Sequence, residues 1–282
     1  MIPSFFLWLA QVYRPRLWIL YIGAFYIGAT TGSGGAIPSS LLTKEVFLLA
    51  LWILLGRPLF SHALNDAFDI ETDARNPRKK SLERGAHPSE KKLLLFVSFV
   101  ALAPFFFLLP LFSSVTNIYL ILSVAVILAY NIPPIRLKAR AVWDTVAGGI
   151  TVPSLGAAGY AIQTGTHPDL FLFLAAIASA MAIHTYASLL DIEYDRQAGV
   201  RTTAVAIGSV QRGLVLCLVL SCIPIGILFA YSLSPIGFLA ALFPAFFLIE
   251  FFKKGTYDRA AWYRSFVYLL YASGFLLSIL AY

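Results

Sequence analysis

Long apolar runs separated by short polar connections set the pattern of this chain. The runs fall at about 17–36, 46–68, 93–112, 115–131, 142–162, 170–190, 212–231, 235–252 and 264–282. About 17 to 25 such residues cross a bilayer as one helix. In lipid a helix satisfies its own backbone hydrogen bonds. The runs are continuous rather than alternating, which argues against a β-barrel. The pattern therefore predicts an all-α fold: a polytopic membrane helical bundle of about nine transmembrane helices, in a single domain over residues 1–282. Composition agrees. The chain is 59% hydrophobic and 12% charged, about half the charged share of a soluble domain. Its apolar N-terminal stretch from Ile2 to Val12 lacks a basic leader region and is followed by Arg14 and Arg16. It reads as an interfacial or first-helix lead-in rather than a cleaved signal. Cys217 and Cys222 lie inside one apolar run, at no disulfide or metal spacing, and read as packing residues.

Charge divides by side. All but Lys44 and Arg57 of the 21 Lys and Arg fall at the N-terminus or after the second, fourth, sixth and eighth runs. By the positive-inside rule that face is cytoplasmic. All but Glu45 and Asp169 of the 14 acidic residues lie in or beside the same connections. Orientation does not require this, because Asp and Glu contribute little to it. The acidic residues need another explanation, and whatever chemistry the chain performs belongs to one face.

A repeat supplies the first clue. Residues 62–75 read HALNDAFDIETDAR and residues 184–197 read HTYASLLDIEYDRQ. His62 pairs with His184, Asp69 with Asp191, Glu71 with Glu193 and Asp73 with Asp195, at an offset of 122 residues. Four runs separate the copies, so both point the same way. That predicts two parallel pseudo-repeats around a central cavity, with two acidic helix ends brought together.

Read as helix, the first copy stacks Asp66, Asp69 and Asp73 on one face, with His62 a turn earlier. The second stacks Asp191 and Asp195. Stacked carboxylates at a membrane are costly to keep ionised. A divalent cation removes the problem, and carboxylate with amide oxygens suits Mg²⁺ shared with substrate phosphates. Asn65 offers such an amide. Basic residues follow each cluster: Arg75, Arg78, Lys79 and Lys80 after the first, Arg196 and Arg201 after the second. Tyr130, Arg136, Lys138 and Arg140 lie between them. Carboxylates, metal and cations together point to a bound diphosphate.

NDAFDIETD and DIEYD fit the patterns N-D-x-x-D-x-x-x-D and D-x-x-x-D, on the second and sixth runs. Placed so, they resemble the UbiA superfamily of intramembrane prenyltransferases over nearly the whole chain. The resemblance implies two Mg²⁺ ions bridging a prenyl diphosphate, whose C–O bond ionises to an allylic carbocation. It places Asn65, Asp69 and Asp73 on one metal, and Asp191 and Asp195 on the other. Asp66 would support the first set or position the acceptor, and Tyr130 and Lys138 would bind diphosphate. The Tyr–Lys spacing here is longer than the family's form. Three stretches, NDAFDIETDARNPRKK, YNIPPIRLKARAVWDT and MAIHTYASLLDIEYDRQAGVRTTAVAIG, resemble the branch that elongates lycopene. That implies addition of C5 units from dimethylallyl diphosphate to a lipophilic, alkene acceptor.

Other residues carry two readings. Arg57, inside the second run, would bind an acidic acceptor or serve structure through a carbonyl or carboxylate. His62 and His184 would deprotonate a carbocation or hydrogen-bond within the bundle. Asp144 would cap the fifth run. The small residues of AGGITVPSLGAAGYA, with Pro153, suit close helix packing and a kink. Two rival functions remain. One is an aromatic acceptor of the quinone, tocopherol or chlorophyll type. The other is an ion-coupled transporter, which predicts acidic groups at mid-membrane and polar groups on both faces. The net charge of +7 follows from orientation and diphosphate binding, with no nucleic acid invoked.

Overall fold

The computed structural model describes residues 5–34, 39–74, 85–230, 235–253, 265 and 268. The described residues are almost entirely helical. In chain order the helices are α1 (Phe5–Tyr13), α2 (Trp18–Gly32), α3 (Lys44–Leu51), α4 (Arg57–Asp73), α5 (Lys91–Leu108) and α6 (Ser114–Asn131). Then come α7 (Trp143–Thr151), α8 (Pro153–Thr164), α9 (Leu170–Leu189), α10 (Ile192–Gln197), α11 (Thr203–Ile207), α12 (Val210–Ala230) and α13 (Pro235–Phe252). Among the described residues, six helical stretches are long and apolar enough to cross a membrane. A shorter apolar helix, Ile19–Gly32, stands where the first span is expected. Helix α13 stands at the eighth. The expected ninth span lies outside the described residues apart from 265 and 268.

Caps mark the starts of four helices, Thr202 serving α11. Thr43, Ser113 and Asp169 accept from the first-turn N–H groups of α3, α6 and α9. This accounts for Asp169, one of the two acidic residues off the charged face. Asp144 is not a cap, contrary to the sequence expectation. It sits in the first turn of α7 and accepts from the Thr203 backbone N–H at 3.0 Å and from the Thr203 hydroxyl. A carboxylate inside the first turn points past its own helix start, so it ties α7 to α11 instead.

Two prolines reshape spans without ending them. Pro58 has no N–H for the Leu54 carbonyl. The stretch Trp52–Gly56 widens into a π-helical turn, in which the Arg57 N–H reaches back to the Trp52 carbonyl. The Tyr13 hydroxyl donates to the Leu54 carbonyl at 2.6 Å. Residues 44–73 thus remain one 30-residue helix. Pro153 divides α7 from α8 at Val152, as expected of it. The Leu155 N–H turns to the Val152 carbonyl at 2.9 Å. The Thr151 carbonyl then accepts from the Ser123 hydroxyl at 2.9 Å.

The motif-bearing helices occupy matching places: α4 packs on α5, and α9 packs on α12. Contact of α2 with α8 joins the halves. There a Cβ on Gly28 would fall on the Gly156 backbone, and one on Gly159 on the Phe25 carbonyl, so glycine permits the approach. The larger core gathers Phe25, Leu49, Ile53, Phe60, Leu120 and Leu155; a second gathers Tyr186, Leu214, Cys217, Phe246 and Phe247. Helix α1 is more than a lead-in. It buries Trp8 and Val12 against Ala63, Ala67, Leu94 and Val97. The Trp8 indole donates to Glu90 at 3.1 Å.

Candidate active site

The end of α4 carries the first acidic motif on a buried face. Asp69 is 1% exposed and Asp66 2%, with Asp73 also buried. Burial of that order demands partners. Asp66 pairs with Arg14 at 2.5 Å. Asp69 accepts from the Asn65 amide and pairs with the Lys138 ammonium. Arg136 reaches the other Asp69 oxygen at 3.5 Å and donates to the Phe68 carbonyl at 3.2 Å. Lys138 sits on a 3-10 turn, Leu137–Ala139, just beyond α6. That short turn delivers two cations over α4.

The second motif is built differently. Both copies read as continuous helix in the sequence, but α9 ends at Leu189 and Asp191 stands at the start of α10. The i, i+4 relation survives as a single turn, the Asp195 N–H donating to the Asp191 carbonyl at 2.9 Å. Burial, then the charges of Asp191 and Asp69, push the Asp195 carboxyl up to about 6, against Lys138 and the Thr202 hydroxyl, which lower it. Burial lowers the Lys138 ammonium, yet Asp69, Tyr130 and Asp73 outweigh it and hold it above the ordinary lysine range. Lys138 is thus the common neighbour of both motifs. Tyr130, at the end of α6, is half-buried within electrostatic reach of Lys138, and its ring meets His184 edge to face at 5.9 Å.

Other expected site residues take varied places. Arg196 pairs with Glu193 at 2.7 Å and donates to the Gly208 carbonyl at 3.2 Å. Arg201 is exposed, its backbone bridged to Arg140. Arg75, Arg78 and Lys79 lie outside the described residues. Arg57 is 2% exposed. It stands over the Tyr21 ring at 4.2 Å, and its Nη2 reaches the Ser123 hydroxyl and the Thr151 carbonyl, both at 3.4 Å. Its Nη1 has no hydrogen-bond partner among the described residues. His62 lies between Tyr13 and Tyr21. The clamps of Arg14 on Asp66 and Lys138 on Asp69 span 52 and 69 residues of sequence. No local signal assigns those pairs.

The donor set bears on the implied metal. Among the described residues no three His, Cys, Asp or Glu form a dedicated cage. Mg²⁺ shared with phosphates needs only one or two carboxylates per ion, its other positions being filled by phosphate and water. Asn65, Asp69 and Asp73 on one side and Asp191 and Asp195 on the other fit that mode. Lys138 holds a charge balance that a cation–diphosphate pair could replace.

A membrane bundle that sets two acidic helix ends within electrostatic reach of one lysine and one tyrosine defines a class, and comparison with known proteins names it. The profile of the UbiA prenyltransferase family matches residues 5–279, and the chain belongs to that family. It is accordingly a prenyltransferase and an integral membrane protein. It is 31% identical over 212 residues to the lycopene elongase/hydratase of Halobacterium salinarum, across 75% of each chain. It is 24% identical over 294 residues to the bacteriochlorophyll synthase 33 kDa chain of Rhodobacter capsulatus, across 96% of this chain and 91% of that one. The fold is that of a UbiA homolog from Archaeoglobus fulgidus bound to DMAPP and Mg²⁺. That match has a TM-score of 0.72 at 21% identity and covers 96% of this chain and 98% of the other.

Proposed function

We propose that the enzyme transfers C5 units from dimethylallyl diphosphate to the ends of a lycopene-type carotenoid, with two Mg²⁺ ions at its acidic motifs. The Lys138–Asp69 pair, with Asp73 and Asp195 within its electrostatic reach, carries the donor half of this reading. Asn65, Asp69 and Asp73 would hold one ion, Asp191 and Asp195 the other. When bound, the metal neutralises charge that develops on the departing diphosphate. Lys138, kept charged by Asp69, supplies a cation to the phosphates, and the Tyr130 hydroxyl beside it supplies a donor. Arg75, Arg78, Lys79, Arg196 and Arg201 add positive charge for the diphosphate along the same face. Asp66, held by Arg14, fixes the N-terminal segment against α4 and keeps the acidic face in register. The arrangement of basic connections supports an active site on the cytoplasmic side.

The acceptor half rests on the relatives named lycopene elongase/hydratase. A second reading, a chlorophyll-type or other aromatic acceptor, draws on the bacteriochlorophyll synthase chain that matches almost the whole length. The buried Arg57, with one nitrogen unpartnered among the described residues, would suit an acidic acceptor of that kind. Pigment analysis decides between them. In a bacterial host that accumulates lycopene, the chain is expected to produce carotenoids heavier by one or two C5 units, absent with Asp69→Ala. Unaltered lycopene with the protein present in the membrane would shift the acceptor to the aromatic class.

A further inference from the structure

The two histidines of the repeat are not equivalent. His62 is fully engaged. The Tyr13 carbonyl lies 3.1 Å from its Nδ1 and the Tyr21 hydroxyl 3.2 Å from its Nε2. A neutral imidazole protonated at Nδ1 donates to the first and accepts from the second. Arg57 stands over the same Tyr21 ring. The lone pair of His62 is therefore already in use, in a contact that joins α1, α2 and α4.

His184 is held without being used. A Cβ on Gly148 would collide with its ring, so α7 offers a flat glycine face on which the imidazole lies. Tyr130 meets the ring edge-on from α6. The Nε2 is buried and has no hydrogen-bond partner among the described residues. Such nitrogens are rare and call for an explanation, a ligand being one. Lys138 and Asp144 are the charged groups that reach it. Tyr130, which the ring touches, is itself within electrostatic reach of Lys138, Asp69 and Asp195.

We propose that His184, and not His62, accepts the proton that prenyl transfer must release. This rests on the reading of the enzyme as a prenyltransferase acting on a carbon acceptor. The C–O bond of the donor breaks with both electrons leaving on diphosphate. The acceptor π pair forms the new C–C bond and leaves a carbocation. An adjacent C–H bond then breaks, its electrons close a double bond, and the proton passes to the Nε2 lone pair. Water takes the proton from the imidazolium as product leaves.

The test compares diphosphate released with the prenylated alkene formed by proton loss, in the full-length protein with dimethylallyl diphosphate, Mg²⁺ and lycopene. The wild type keeps the two in step. His184→Gln lowers the alkene product formed by proton loss by about 100-fold. Diphosphate release stays within a few-fold, and the balance appears as dimethylallyl alcohol or hydroxylated carotenoid. His62→Gln lowers thermal stability and total turnover but keeps the wild-type ratio. An unchanged ratio in His184→Gln overturns the proposal, as does uncoupling in His62→Gln. Loss of both diphosphate release and product in His184→Gln would instead assign His184 to building the donor site. A wild type that ignores lycopene but prenylates an aromatic acceptor would overturn the carotenoid reading alone. The same ratio on that acceptor then decides the histidine.

Discussion

The two acidic motifs share a residue pattern and differ in how they are held. In the first, an unbroken helix from Lys44 to Asp73 carries the carboxylates into a buried face. Their charge is met by Arg14, Arg136 and Lys138, all distant in sequence. In the second, the long helix stops at Leu189 and a six-residue helix takes over. Its acidic residues are only partly buried or exposed. Glu193 and Asp195 lie in the first turn, where carboxylates suit the helix end. One copy is a fixed, neutralised platform, and the other is a lightly supported face. A repeated motif thus specifies the same donor atoms twice without specifying the same scaffold.

Substitutions can break this contrast, and the largest effect is expected at Asp69. Asp69→Ala removes a candidate metal ligand and strands Lys138 beside Arg136. Prenyl transfer should fall to background, and stability should drop by about 3 kcal/mol, read by product assay and thermal unfolding in detergent. Next comes Lys138→Met. It removes the common neighbour of both motifs and should lower kcat/KM for the diphosphate donor by about 100-fold. A variant with normal donor kinetics would show that Lys138 serves only to neutralise Asp69.

Much of this was legible in the sequence. The apolar runs located the long helices, the matched D-I-E-x-D units marked the two acidic helix ends, and Pro153 foretold a kink where α7 gives way to α8. Three things were not legible, for physical reasons. The stop at Leu189 has no proline or glycine to announce it, because tertiary contacts of α10 with α11 hold the turn. The Arg14–Asp66 and Lys138–Asp69 pairs are contacts between remote segments, which periodicity does not carry. The unlike surroundings of His62 and His184 depend on Tyr13, Tyr21 and Gly148, none of which stands beside either histidine in the chain. The wide turn at Trp52–Gly56 had a visible cause in Pro58, which the apolar pattern overrode.

Smaller effects sharpen the comparison on the second side. Thr202 caps α11 and its hydroxyl supports Asp195. Thr202→Val should lower Mg²⁺-dependent activity by about tenfold, as loss of an outer support does, checked by titrating Mg²⁺. The smallest stability change belongs to Arg196→Ala. Its pair with Glu193 is exposed, and such pairs contribute about 0.2–1 kcal/mol. Unfolding should barely move, so any marked rise in the donor KM would report contact with diphosphate rather than a structural loss.

The central claim is that both motifs, however differently held, form one donor site. Diphosphate release from dimethylallyl diphosphate by the wild type, Asp69→Asn, Asp195→Asn and the double variant tests it most directly. Each single change should cost about 100-fold, and the double should be little worse than the lower single, because residues that act as a unit are not additive. A double variant that loses the product of the two single effects, about 10,000-fold, would contradict a shared site.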